Sequence, residues 1–293
     1  MPDSQKKPLY QRLVAGLVAA VLGGVISSWI PGEDKKIRLG SDQKNSTVQQ
    51  WYEDHAHEFA DADVIESAFI GMARESQERL NRFKLWAIGQ GDLVDLKGKR
   101  VLEFGAGHGR FALAYPEVAS YLGVDFSQNL VDLGNRRFAQ AKMAERAKLV
   151  RGDVLSFSAL QQFDVVCSLG MMCYFPDPVP VIAAMARFVE PGGSLFFDFR
   201  NDSLIYSAVR RVKWLLRPPT SGFAHALQSG SIGRELKRLG FQDIRFVSRE
   251  FPLLAEHYAK SQSQWPLSLR NVLADSAIAR PFATEAWVFA RRP

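Results

Sequence analysis

A short apolar strand that breaks into alternating glycines constrains this chain more than any other stretch. It reads Val101-Leu102-Glu103-Phe104-Gly105-Ala106-Gly107-His108-Gly109-Arg110. The run to Phe104, with the polar lead-in Lys97 to Arg100, has the pattern of a buried parallel strand. Arg110 to Ala114 is a helix-compatible run. A strand that turns through glycines into a helix lets the backbone approach a ligand closely, because no Cβ intervenes. The free N–H groups of the helix start then face a polar or anionic group. The spacing departs from the dinucleotide fingerprint G-x-G-x-x-G. The third glycine comes one residue early, at Gly109, and Arg110 stands where that fingerprint has glycine. Read alone, the stretch fits a structural glycine turn as well as a nucleotide site.

What surrounds it is strand–helix alternation. Strands are expected at 100–104, 121–125, 148–152, 163–168, 194–199, 242–248 and 285–291, and helices at 110–115, 128–145, 177–189, 203–216 and 230–239. This repetition predicts an α/β fold, a doubly wound and mostly parallel sheet with helices on both faces. The stretch 249–284 is too long for a loop and reads as an insertion. Upstream, Ile65, Phe69, Met72, Leu80, Phe83, Leu85 and Ile88 recur at helical spacing. The expected organisation is therefore an apolar helix and linker over 1–48, a helical N-terminal extension or lid over 49–97, and an α/β domain over 98–293.

In such a sheet the ligand lies at the carboxyl ends of the central strands. Those ends carry acids. Asp125 closes the second strand, 20 residues after Gly105, and can accept both hydroxyl hydrogens of a ribose. Asp153 closes the third, placed to accept from an exocyclic amine, although both aspartates also suit plain helix capping. The fourth strand runs into Ser168-Leu169-Gly170-Met171-Met172, and the fifth follows Glu190-Pro191-Gly192-Gly193 and ends at Asp198.

Taken together, these stretches resemble the class I S-adenosylmethionine-dependent methyltransferases, over roughly residues 98 to 248 with a last strand at 285–291. The resemblance implies a seven-stranded Rossmann-like methyltransferase sheet whose last strand is antiparallel. It implies S-adenosyl-L-methionine as the cofactor, held by Glu103, Phe104, Gly105, Ala106, Gly107, Gly109, Asp125, Phe126, Asp153, Val154, Ser168 and Leu169. Transfer from a sulfonium is an in-line displacement that asks the protein mainly for positioning. A base is needed only where the nucleophile must lose a proton. His225, in Gly222-Phe223-Ala224-His225-Ala226, is the leading candidate, followed by Tyr206 and then by Tyr174 and His257. His108 reads as an outward-facing loop position. Trp51 and Tyr52 resemble aromatic residues that some relatives fold over the donor, and fit helix packing equally.

The acceptor is approached by exclusion. After the fourth strand there is no Asn-Pro-Pro-Tyr or Asp-Pro-Pro-Tyr, and Cys173 has no proline before it. The resemblance therefore argues against amino-methylating nucleic-acid enzymes and cytosine-carbon methylation. A net charge of +6 with the basic residues spread out does not by itself imply nucleic acid. The expected acceptor is a small molecule, a lipid or a glycan-type compound, with oxygen the commonest acceptor atom in the family. Two cysteines without metal-ligand spacing fit a reducing cytoplasmic setting and no metal. Residues 13–30 carry no charge and as a helix would span about 27 Å, close to a bilayer's hydrocarbon thickness. They suggest a membrane anchor, with a cleaved signal peptide or a helix packed on the protein as alternatives. Residues 204–217 form a basic amphipathic pattern that suits an anionic membrane surface or an ordinary solvated face. Two rival functions remain at this level: a nicotinamide-dependent Rossmann oxidoreductase, and a non-catalytic, membrane-tethered binding protein.

Overall fold

The computed structural model describes residues 44–59, 94–114, 117–203, 207, 225–249, 283 and 285–293. The expected helices over 64–90, the apolar segment 13–30, nearly all of 204–217 and the insertion 249–284 except its flanks lie outside the described residues. Among the described residues no helix is long and apolar enough to cross a membrane.

The first described elements are helix α1 (Lys44–His55) and a 3₁₀ turn over Ala56–Phe59. Helix α1 begins inside the stretch read from the sequence as linker. Then come β1 (Arg100–Phe104), α2 (Arg110–Ala114), β2 (Ser120–Asp125), α3 (Gln128–Gln140), β3 (Ala147–Arg151) and β4 (Phe163–Ser168). A second 3₁₀ turn (Met172–Tyr174) leads to α4 (Val179–Ala186), β5 (Val189–Arg200), α5 (Ser229–Arg238), β6 (Gln242–Arg249) and β7 (Glu285–Arg291). One seven-stranded sheet has the order β3-β2-β1-β4-β5-β7-β6. Strands β1 to β5 pair in parallel, and β7 is antiparallel to both β5 and β6. The order reverses between β1 and β4, which makes the carboxyl end of β1 the switch point where such sheets bind ligands.

Strand periodicity sends alternate residues into two cores. Leu102, Phe104, Val166, Leu195 and Phe197 pack with Ile182 and Met185 of α4 and Ile232 and Leu236 of α5. Val101, Tyr121, Val165, Cys167 and Phe196 pack on the other face with Val131 and Phe138 of α3. There Phe196 lies opposite Phe289 in the β5–β7 register with its ring stacked at 5.6 Å, and Trp287 stacks beside both. At the far end of the sheet Arg100 clamps β1 to Asp164 of β4 (Nε to Oδ2, 3.0 Å) and to Glu190 of β5.

Three elements depart by more than one residue from the bounds expected. Helix α3 stops at Gln140 rather than near 145, because Lys142 takes a left-handed φ of +56° and the chain turns back so that the Met143 N–H donates to the Phe138 carbonyl. Helix α4 starts later and ends sooner than 177–189: Asp177 accepts from the Val179 N–H (3.0 Å) behind Pro178, and the chain must enter β5 at Val189. Strand β5 begins well before 194, because Pro191-Gly192-Gly193 forms a bulge within it. The register jumps from Phe163↔Val189 to Val165↔Ser194.

Phe138 couples this framework to the glycine loop. Its ring is fully buried, and a Cβ at Gly109 would fall 2.4 Å from its Cζ. Phe138→Ala is expected to cost about 3–5 kcal/mol of stability by leaving a cavity under the loop, read as a lowered urea midpoint with an unchanged m-value.

Candidate active site

The glycine loop is tied to β2 before it binds anything. The N–H groups of Gly105 and Ala106 both donate to the Val124 carbonyl (2.8 and 3.2 Å). Gly105 is required by close approach, since a Cβ there would meet Met171 Cβ at 2.7 Å. Gly107 differs: at φ +55° it faces open space, with no atom within 4 Å of the position a Cβ would take. This is the cradle into which a ligand can press against bare backbone.

Acids close the strands beneath the loop. Asp125 is buried; its Oδ2 accepts from the Gly107 N–H (2.7 Å) and its Oδ1 from the Ser127 N–H (3.0 Å). Burial raises its pKa to about 6, against the pull of those backbone donors. Glu103 is buried at the end of β1, and the Tyr121 hydroxyl donates to its Oε2 (2.6 Å). Burial, then the Glu103 charge, holds the Tyr121 hydroxyl pKa well up. Asp198, at the end of β5, accepts from the Gly170 N–H (2.5 Å) and so pins the loop after β4.

Helix α1 and its 3₁₀ turn form a roof. The Tyr52 hydroxyl lies 2.6 Å from that of Tyr174. Burial pushes the Tyr52 pKa to about 12 and that of Tyr174 well up. Glu53 anchors the roof on the N-terminus of α3. It accepts from the Ser127 hydroxyl and from the N–H groups of Gln128 (3.2 Å) and Asn129 (3.1 Å), while Asn129 Nδ2 donates back to the Glu53 carbonyl (3.0 Å). A carboxylate there satisfies helix-start donors and complements the helix dipole. Arg137 closes the far corner, donating to the Phe59 carbonyl (2.7 Å) and to His108 Nδ1 (2.6 Å). Since arginine only donates, His108 accepts at Nδ1.

These elements enclose one pocket. Its walls include Gly105, Ala106, Gly107, Asp125, Phe126 and Leu169 from the set expected for the cofactor, together with Tyr52, Phe59, His108, Arg110, Phe111, Leu130, Gly170, Met171 and Tyr174. The remaining expected residues stand apart from its walls. Glu103 lies behind them. Phe104 turns its ring into the opposite core against Phe157 and Phe188. Gly109 sits over Phe138. Ser168 is fully buried, and its hydroxyl has no hydrogen-bond partner among the described residues. Asp153 is exposed, its Oδ1 accepting from the Leu155 N–H (2.7 Å), and Val154 is buried in the core. His108 is not outward-facing: it is buried and lines the pocket, because Arg137 and the Phe59 ring hold it there. Trp51 stacks on His55 and does not line the pocket, whereas Tyr52 does. His225 donates its backbone N–H to the Cys173 carbonyl (2.6 Å), which brings its segment beside Tyr174. Tyr206 and His257 lie outside the described residues. Among the described residues no cluster of His, Cys, Asp and Glu could hold a metal ion.

Residues 72–245 match the family model described as a methyltransferase domain. The chain belongs to the class I S-adenosylmethionine-dependent methyltransferases. It is 26% identical over 171 residues to the ubiquinone biosynthesis O-methyltransferase of Pseudomonas fluorescens, covering 56% of this chain and 74% of that one. With the enzyme of that name from Thiobacillus denitrificans it shares 28% over 169 residues, or 56% and 73% of the two chains. Among solved structures, the magnesium protoporphyrin IX methyltransferase of Synechocystis with bound S-adenosylhomocysteine superposes at a TM-score of 0.57 and 14% identity, over 85% of this chain and 99% of that one. Geranyl diphosphate C-methyltransferase from Streptomyces coelicolor gives 0.57 and 12%, over 87% and 100%. These last two share the fold. The enzyme therefore uses S-adenosylmethionine, and the open cradle at Gly107 beside the buried Asp125 carboxylate suits an adenosyl group. The nicotinamide and non-catalytic readings gain no support from the family or its members.

Glu53 and Arg137 went unnoticed in the sequence, since Glu53 meets Ser127 74 residues away and Arg137 meets Phe59 78 residues away. Removing the Glu53 contacts by Glu53→Ala is expected to cost about 1–2 kcal/mol and to speed amide exchange across 44–59. Unchanged exchange there would show that the roof does not depend on this carboxylate.

Proposed function

We propose that this enzyme methylates a hydroxyl oxygen on a small, flat, largely apolar molecule, in which an aromatic ring carries the hydroxyl. The observation that carries this reading is the apolar and aromatic part of the pocket lining, Tyr52, Phe59, Phe126, Met171 and Tyr174. Such a wall favours an apolar ring over a glycan, which would leave its hydroxyls unpaired against it. The names of the ubiquinone biosynthesis O-methyltransferases point the same way.

When bound, the donor supplies a methyl group on a sulfonium sulfur. In this reading the glycine loop and Asp125 hold the adenosyl end, with the Asp125 carboxylate accepting from the ribose hydroxyls. The roof excludes water from the transfer path. His225, in the segment held against Cys173, accepts the acceptor's hydroxyl proton as the carbon–oxygen bond forms. Residues 13–30 anchor the chain to a membrane, with the basic face of 204–217 resting on its anionic surface. The uncharged length of the first and the Arg210, Arg211, Lys213 and Arg217 cluster of the second support this.

A methyl-labelled donor incubated with the enzyme and a cell extract is expected to place label in a low-molecular-mass, solvent-extractable fraction as a base-stable ether. Label in protein, nucleic acid or a base-labile ester would overturn the reading. Donor affinity is expected to fall about tenfold per pH unit below pH about 6. The sign follows from the raised Asp125 pKa: protonation removes an acceptor that two backbone N–H groups and the ribose need. Asp125→Asn abolishes this pH dependence and weakens binding throughout. His225→Gln is expected to lower kcat by about 10²–10⁴-fold with donor affinity unchanged. For the anchor, deletion of residues 1–31 should move the enzyme from the membrane pellet to the supernatant. A full-length chain found in the supernatant without detergent would rule the anchor out.

A further inference from the structure

The Tyr52–Tyr174 pair has a hydroxyl proton to spare. The two hydroxyls lie 2.6 Å apart, and both residues line the pocket. One O–H donates to the other oxygen, whichever of the two it is, so the second O–H needs an acceptor of its own. Among the described residues neither hydroxyl makes another hydrogen bond. The charged groups that face the pair are Asp125, Arg110 and Arg200, with the Cys173 thiol beside them. The two guanidinium groups only donate. The Asp125 carboxylate is turned to the N–H groups of Gly107 and Ser127, and the Cys173 thiol to the Gly170 carbonyl.

A hydroxyl in an apolar wall costs stability, because it gives up water, and phenylalanine would pack there without that cost. Burial keeps both hydroxyls protonated, with the Tyr52 pKa at about 12 and that of Tyr174 well up, so the pair donates and does not serve as a base. Its place in the fold says what it donates to. Tyr174 ends the 3₁₀ turn after β4, and its neighbour Cys173 receives the His225 N–H (2.6 Å) on its carbonyl. The pair therefore stands beside the His225 segment, whereas the ribose of the donor has its acceptor in Asp125. We propose that the spare O–H of the pair is the polar anchor of the acceptor molecule, donating to a second oxygen on its ring, apart from the hydroxyl that is methylated. The enzyme then selects a ring with at least two oxygen substituents and turns the one not held by the pair towards the donor. A ring without the second oxygen leaves the O–H buried and unpaired, which costs more than the bond itself contributes.

This inference rests on the acceptor being an aromatic hydroxyl compound, and the test separates the two readings. The full chain is assayed with methyl-labelled S-adenosylmethionine on the ortho, meta and para methoxyphenols and on the matching ethylphenols, in which a methylene replaces the ether oxygen. At one ring position the methoxyphenol is expected to exceed its ethyl counterpart about tenfold in kcat/KM. Tyr52→Phe/Tyr174→Phe should bring the two within about twofold of each other by a loss on the methoxyphenol. Its calorimetric affinity for S-adenosylhomocysteine should be unchanged, which also shows that the variant is folded. A preference that survives in the double variant, or none in the unaltered chain at any ring position, overturns the proposal while the phenols remain substrates. Weakened S-adenosylhomocysteine binding in a double variant that still melts cooperatively would place the pair on the donor, and overturns it too. If the unaltered chain binds S-adenosylhomocysteine but methylates none of the phenols, the aromatic-acceptor reading falls, and this proposal with it.

Discussion

The site depends on one buried carboxylate. Asp125 receives the N–H of Gly107 from the glycine loop and the N–H of Ser127 from the start of α3. It thereby joins the glycine loop to the start of α3. The arrangement is costly by itself, because burial disfavours the charged form, as the raised pKa shows. A fold retains such a group where its function needs an acceptor that points in a set direction. The loop's bonds to the Val124 carbonyl and the Phe138 ring beneath Gly109 hold the same geometry from below.

Around that carboxylate the molecule is built in two layers of different strength. The sheet and the helices packed on it form two apolar cores. The roof is attached by a small apolar cluster, Ala56 and Phe59 against Leu130 and Leu133 of α3, and by polar contacts: Glu53 on the start of α3, Arg137 on the Phe59 carbonyl, Gln49 on the Phe126 carbonyl, and the Tyr52–Tyr174 hydroxyl pair. Polar attachments of this kind hold a cover in place without the large apolar area that would make opening slow.

The strands were legible because a strand buried on both faces has little choice of composition. Arg100 to Phe104, Phe163 to Ser168 and Glu285 to Arg291 match the expected bounds. Helix ends were less legible. The stop of α3 depends on a left-handed Lys142, a residue type that gives no local signal for that conformation. The early start of β5 depends on a bulge that only the pairing with β4 reveals. In the site, Gly105, Ala106, Gly107, Asp125, Phe126 and Leu169 could be read from motif order and do line the pocket. Asp153, read as placed to accept from an exocyclic amine, stands exposed with its Oδ1 accepting from the Leu155 N–H. Tyr52 was named from the sequence as an aromatic over the donor or a helix-packing residue, and it lines the pocket; His108 does so because Arg137 and Phe59 hold it there, which no local pattern signals.

By itself the sequence determined the parallel sheet, the glycine loop and the acids that end the strands. These follow from short-range rules: a period of two, the absence of a Cβ, and acids placed at strand ends. Tertiary structure alone decided what closes the pocket and what charge faces inward. Glu53 reaches α3, Arg137 reaches Phe59, and Arg110 is set against Glu103 and Asp198 only once the sheet brings β1 and β5 to one edge of the site. Electrostatic and hydrogen-bond energies depend on distance in space. A chain that places Glu53 74 residues from Ser127 and Arg110 88 residues from Asp198 holds that information only in its folded form.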